Sequence, residues 1–171
     1  MRIPETDAHM MKKLTDTLSV QLKLLEELLA LLERETPELA GISLDAMAGI
    51  NGLKEGVVAR IEEHTAPLRQ AIAEVAASLG LPPNAALGEV SALLAHQGRT
   101  DIQHLHQELN RVAGRVRQVA SVNRDIAERF VSAVSNSLNF LVRILNQASV
   151  YGASGGYQQR QAGAVMINRK A

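Results

Sequence analysis

Apolar residues recur three and four positions apart along most of the chain, the spacing of one face of an α-helix. The first series is Met11, Leu14, Leu18, Leu25, Leu28 and Leu32. Leu22, Leu24, Leu29 and Leu31 widen it on both sides, so this helix is expected to be buried on more than one face. Thr6 or Asp7 can cap its start. Pro37 disfavours helix at Thr36 and places the end there. The second series is Leu44, Met47, Ile50, Leu53, Val57, Ile61, Leu68, Ile72, Val75 and Leu79, with Ser43 as cap and Asp45 in the first turn. His64 falls at a stripe position. Gly49, Gly52 and Gly56 each weaken this helix by about 1 kcal/mol relative to Ala. That stretch is expected either to bend or to pack its backbone closely against a neighbour. Pro67 predicts a kink.

Gly80-Leu81-Pro82-Pro83-Asn84 interrupts the period, and Leu87, Val90, Leu93 and Leu94 form a short amphipathic piece ended by Gly98. The last series is the most regular. Thr100 or Asp101 can cap it, and Ile102, Leu105, Leu109, Val112, Val116, Val119, Asn123, Ile126 and Phe130 make a heptad seam. Asn123 puts a polar group in that seam, a device that costs stability and fixes register. After Phe130 the stripe moves over by one position, to Val131, Val134, Leu138, Leu141 and Leu145, and Phe140, Val142 and Ile144 widen it. From Tyr151 the chain turns to Gly, Ser and Gln without a period. The pattern therefore predicts an all-α fold: an elongated, coiled-coil-like antiparallel bundle of three long helices (about 7–36, 43–80 and 100–150) plus a short connector helix (84–97). Residues 1–150 form one domain and 151–171 a flexible tail.

Composition narrows the function. There is no Cys, which removes disulfides and thiolate chemistry, and aromatic residues are 2% of the 171, little material for the walls of a ligand cleft. Formal net charge is zero, which argues against a nucleic-acid binder. That zero conceals a split. Residues 1–85 carry 8 basic and 13 acidic side chains, and residues 86–171 carry 10 and 5. The last acid is Glu128, and all four aromatics (Phe130, Phe140, Tyr151, Tyr157) lie beyond it. Met1–Lys13 has no apolar core of a targeting signal. Leu22–Leu32, interrupted by Lys23, Glu26 and Glu27, is far short of a membrane span. A cytoplasmic protein without membrane insertion is expected.

No catalytic constellation is present. His104 and His106 stand two apart and cannot share a metal on one helix face. Glu26-Glu27 and Glu62-Glu63 are adjacent carboxylates and do not face each other as an acid/base pair. No phosphate-loop or nucleophile-elbow pattern occurs, so no cofactor, metal or enzyme activity is expected. Arg111, Arg115, Arg117, Arg124 and Arg129 read as a solvated face paired with acids of the first two helices. The informative stretch is 130–145. Its apolar excess is ordinary core, a seam for a second copy, or a surface that receives a partner's amphipathic helix. The basic, acid-free tail beside it favours the last.

Three stretches resemble the FlgN-like family of flagellar type III export chaperones. They are the leucine-rich helix Leu22–Leu32; Ser43-Leu44-Asp45-Ala46-Met47 followed by Lys54-Glu55; and Asn123, Leu138, Leu141 and Leu145 ahead of Tyr151-Gly152-Ala153-Ser154-Gly155. Ile126 stands where that family often repeats Asn. The resemblance implies a cytoplasmic, non-enzymatic chaperone that binds hook-associated proteins of the hook–filament junction, prevents their premature assembly and delivers them to the export gate. It implies client binding at Phe130, Val131, Val134, Leu138, Leu141 and Leu145, and docking to the cytoplasmic domain of the gate through Tyr151. A structural coiled-coil adaptor or homodimerisation module without a client is the alternative.

Overall fold

The computed structural model describes the backbone of residues 5–148 and the side chains of 8–145. Among these, every regular element is a helix: α1 (Glu5–Gly41), α2 (Leu44–Ser78), α3 (Leu87–His96) and α4 (Thr100–Ala148). The chain divides into two compact units, residues 1–127 and 128–171. The expected tail, 151–171, lies outside the described residues.

In the first unit, α1 and α2 run antiparallel. Lys13 pairs with Glu74 at 2.8 Å, His64 Nε2 donates to the Thr17 carbonyl at 2.9 Å, and Arg60 meets Glu27 at 3.0 Å. α4 runs beside α1 in the same direction, with Arg115 on Glu33 at 3.0 Å and Asn123 reaching the Leu32 carbonyl. Met11, Leu14 and Leu18 of α1, Ala71, Val75 and Ala76 of α2, Val90 and Leu94 of α3, and Ile102 and Leu109 of α4 form one aliphatic core. Alanines on α2 let its backbone approach closely, so a three-four seam of aliphatics fills the interior without aromatic rings.

Three expectations need correction. α1 does not stop at Thr36; it continues through Pro37 to Gly41. Proline costs a hydrogen bond inside a helix, but the extra turn buries Leu39. Helix is also already present at Glu5, so Thr6 and Asp7 lie inside the first turn rather than ahead of it. Finally, a Cβ added at Gly49, Gly52 or Gly56 would meet nothing within 4 Å, so these glycines do not serve a close backbone approach. α2 continues through Pro67 as one helix, and Ser43 stands at its start without a side-chain capping bond.

The ends of α1, α2 and α3 share one device. Ser43 N donates to the Glu38 carbonyl and Ile42 N to that of Leu39; Leu81 and Gly80 bond Ala76 and Ala77 in the same way, and Arg99 and Gly98 bond Leu94 and Ala95. This pair of bonds needs a left-handed residue at the turn. Gly80 (φ 73°) and Gly98 (φ 88°) supply it at no steric cost, but at the end of α1 the position falls to Ile42 (φ 58°), one residue after Gly41. A branched side chain in that region is strained by about 1 kcal/mol or more.

Candidate functional site

Residues 128–148, the described part of the second unit, are helical throughout. Their only charged side chains are Glu128, Arg129 and Arg143; the other polar positions are Ser, Asn and Gln. Helix formers (Ala133, Leu138, Leu141, Leu145) and the absence of Gly and Pro keep the segment helical. Every side chain from Val131 to Leu145 is exposed. Val131 is 62% exposed, Leu138 57%, Phe140 63% and Leu145 68%. Such values over eight large apolar residues in fifteen contrast with the seam upstream, where Ile102, Leu109 and Val112 are buried. A run of exposed apolar side chains on one helix is a candidate interaction surface.

At about 100° per residue, the six residues expected to bind a client fall within about 100° of the helix circumference. Val131, Val134, Leu138, Leu141 and Leu145 therefore form one face, with the half-buried Phe130 at its edge. Phe140, Val142 and Ile144, which the sequence showed only as widening, are as exposed as the named set. Ser137 donates its hydroxyl to the Ala133 carbonyl of its own helix at 2.9 Å, so it places no polar demand on a partner. Tyr151 lies outside the described residues.

The first unit holds a polar junction that the seam announced only as Asn123. Asn123 is 4% exposed and Glu35 7%. Asn123 Nδ2 donates to the Leu32 carbonyl at 2.8 Å and to Glu35 Oε2 at 3.0 Å; its Oδ1 accepts from the Thr36 hydroxyl at 2.7 Å. Lys54 of α2 completes the junction on Glu35 Oε1. One residue of α2 and one of α4 are thus tied to a single carboxylate of α1, which sets the mutual register of the three long helices. A groove of about 480 Å³ opens beside it, floored by Leu28 and Leu32 and walled by Val58 and Val116. The sequence gives no sign of that groove, because it exists only where three helices meet.

The remaining chemistry is structural. His106 Nε2 lies 2.9 Å from Asn110 Nδ2 and its Nδ1 3.3 Å from the Ser91 hydroxyl, joining α3 to α4. Among the described residues no group of His, Asp and Glu could hold a metal ion, and no helix is long and apolar enough to cross a membrane. Arg115 pairs with α1 as expected, whereas Arg111 pairs with Glu108 of its own helix at 2.8 Å. The Arg111 guanidinium holds the Glu108 carboxyl below its ordinary range; likewise Lys13, then Gln70, lowers Glu74, and Arg99 lowers Asp101. These are exposed or half-exposed pairs, of which Lys13–Glu74 joins α1 to α2 while the other two are local to the first turns of α4, and they place no perturbed acid or base in a cleft.

Compared with known proteins, the chain matches the family model described as FlgN protein over residues 10–159. No curated protein and no solved structure matches it.

Proposed function

This chain belongs to the FlgN family of flagellar export chaperones, and from that premise we propose that it binds hook-associated proteins of the hook–filament junction in the cytoplasm, through Phe130, Val131, Val134, Leu138, Leu141 and Leu145. The carrying observation is the exposure of every side chain of this helix from Val131 to Leu145, with Phe130 half-buried at the edge of the face. A client's disordered terminal segment would fold on the strip as an amphipathic helix and bury apolar surface worth about 25 cal/mol per Å². The client would meanwhile be kept from assembling. Ordering that segment opposes binding, which leaves the affinity moderate and release to the export gate feasible. Tyr151, just past the strip, is the contact proposed for the cytoplasmic domain of the gate.

The test is calorimetric titration of the full chain with a hook-associated protein. Leu138→Asp with Leu141→Asp is expected to abolish binding while the helical circular dichroism is kept; unchanged binding would remove the strip from the mechanism. Tyr151→Ala is expected to spare the client and weaken gate binding. Equal gate affinity of the variant and the parent would withdraw that role.

A further inference from the structure

The apolar surface of residues 130–145 is wider than one partner helix can cover. Between Ile102 and Ile126 the seam of α4 spans about 120° of its circumference, at about 100° per residue. Beyond Phe130 the apolar arc reaches about 200° on the same reckoning, from Phe140 round to Val142. A single packed neighbour calls for a stripe of roughly 100°. The excess is a second facet, formed by Ala133, Phe140 and Ile144, on the opposite side of Ser137 from the leucines. Phe140 is 63% exposed and Ile144 44%. The one polar side chain between the facets, Ser137, is satisfied within its own helix.

The two edges of the arc also differ in charge. Arg129 and Arg143 project along the Phe140 edge, about 20° and 60° beyond it at the same 100° per residue, and no acidic residue follows Glu128. Glu128, Ser135 and Asn139 border the Val131–Val142 edge. The Phe140 facet is thus apolar with a basic margin, the complement of an amphipathic helix with acidic flanks.

We propose that the distal part of α4 receives two helices at once: the client helix on the leucine face, and a second amphipathic helix of the same client, with Asp or Glu on its flank, on Ala133, Phe140 and Ile144 beside Arg129 and Arg143. The bound state is then a three-helix unit with α4 at its centre. This rests on the client-binding reading above and adds the form in which the client is held. It also accounts for the placing of Phe140, whose ring would otherwise stay in water on the side away from Leu138.

The experiment compares two paired variants of the full chain, Leu138→Ser/Leu141→Ser and Phe140→Ser/Ile144→Ser. Each is titrated with a full-length hook-associated protein, and amide hydrogen exchange is read on the complex. The leucine pair is expected to lose binding. The Phe140/Ile144 pair is expected to bind about 100-fold more weakly, with one of two protected client segments losing its protection. Arg129→Gln/Arg143→Gln should weaken binding by about 10-fold at low salt and flatten its salt dependence. Parent-like affinity of the Phe140/Ile144 pair, with one protected client segment, would overturn the two-helix arrangement and leave the client-binding reading intact. Parent-like affinity of the leucine pair would overturn the client-binding reading itself. A client-free dimer dissociated by Phe140→Ser/Ile144→Ser, or exchange protection of residues 149–171 in the free chain, would assign the second facet to another copy or to the chain's own end and likewise overturn the proposal.

Discussion

Asn123→Leu is the sharpest test of the helix register. Leucine suits a seam position, so packing alone predicts a neutral or stabilising change. The junction predicts the opposite. Asn123 makes three hydrogen bonds, but their losses are unequal. The Leu32 carbonyl keeps the Thr36 hydroxyl, 3.2 Å away, and that hydroxyl can turn fully toward it. Glu35 Oε2 has no such substitute, because Glu35 is buried and Lys54 serves the other oxygen. A buried charged acceptor stripped of its donor costs about 1.5–3 kcal/mol, and the neutral bonds add about 0.5–1. The expected destabilisation is therefore about 2–4 kcal/mol. With a urea m-value of about 2 kcal/mol per M, the unfolding midpoint followed by circular dichroism should fall by about 1–2 M. Replacing the set together (Glu35→Leu, Lys54→Met, Asn123→Leu) should bring the midpoint back to the parent's value or above it, because no stranded charge remains. An unchanged midpoint for Asn123→Leu, or a triple variant as unstable as the summed singles, would refute this account of the junction.

Other substitutions separate local strain from packing. Ile42→Gly should stabilise by about 1 kcal/mol, since Ile42 is exposed and occupies the left-handed position that glycine fills at the ends of α2 and α3. Gly52→Ala should raise stability by about 0.5–1 kcal/mol, read as a thermal midpoint higher by about 2–4 °C, because a Cβ there meets nothing and helix propensity alone decides. A fall in either case would mean that the glycine or the isoleucine has a packing role absent from the described residues. Stability should also decline in acid. Glu74, Asp101 and Glu108 have folded-state pKa values below their ordinary ones, so their contribution is present above about pH 4 and is lost as the pH falls through the lowered values. Thermal midpoints at pH 6 and pH 3 check this, and Glu74→Gln should reduce the difference slightly, since an exposed pair contributes little.

Helix number and type are legible from periodicity alone, because aliphatic residues at three-four spacing leave few other ways to bury themselves. The errors lie where one local rule met a competing one. Pro37 reads as a stop, but the buried Leu39 beyond it outweighs one missing bond. The three glycines of α2 read as either a bend or a close approach; they face open space, which removes the close approach. Asn123 stands out in its seam, but Thr36, Glu35 and Lys54, 69 to 88 positions away in sequence, become its neighbours only through tertiary register. The strip is visible as excess hydrophobicity after Phe130. Its division into a leucine face and a Phe140 face with a basic margin needs the helix circumference and the observed exposure together.

The central claim is that the 130–145 face holds the client. Its most direct measurement is hydrogen exchange on the full chain, free and with a saturating hook-associated protein. Backbone amides of 130–145 should gain protection in the complex, while those around the Asn123 junction and in the α1–α3 core stay unchanged. Protection confined to the groove between Leu32, Val58 and Val116, with residues 130–145 unaltered, would contradict it.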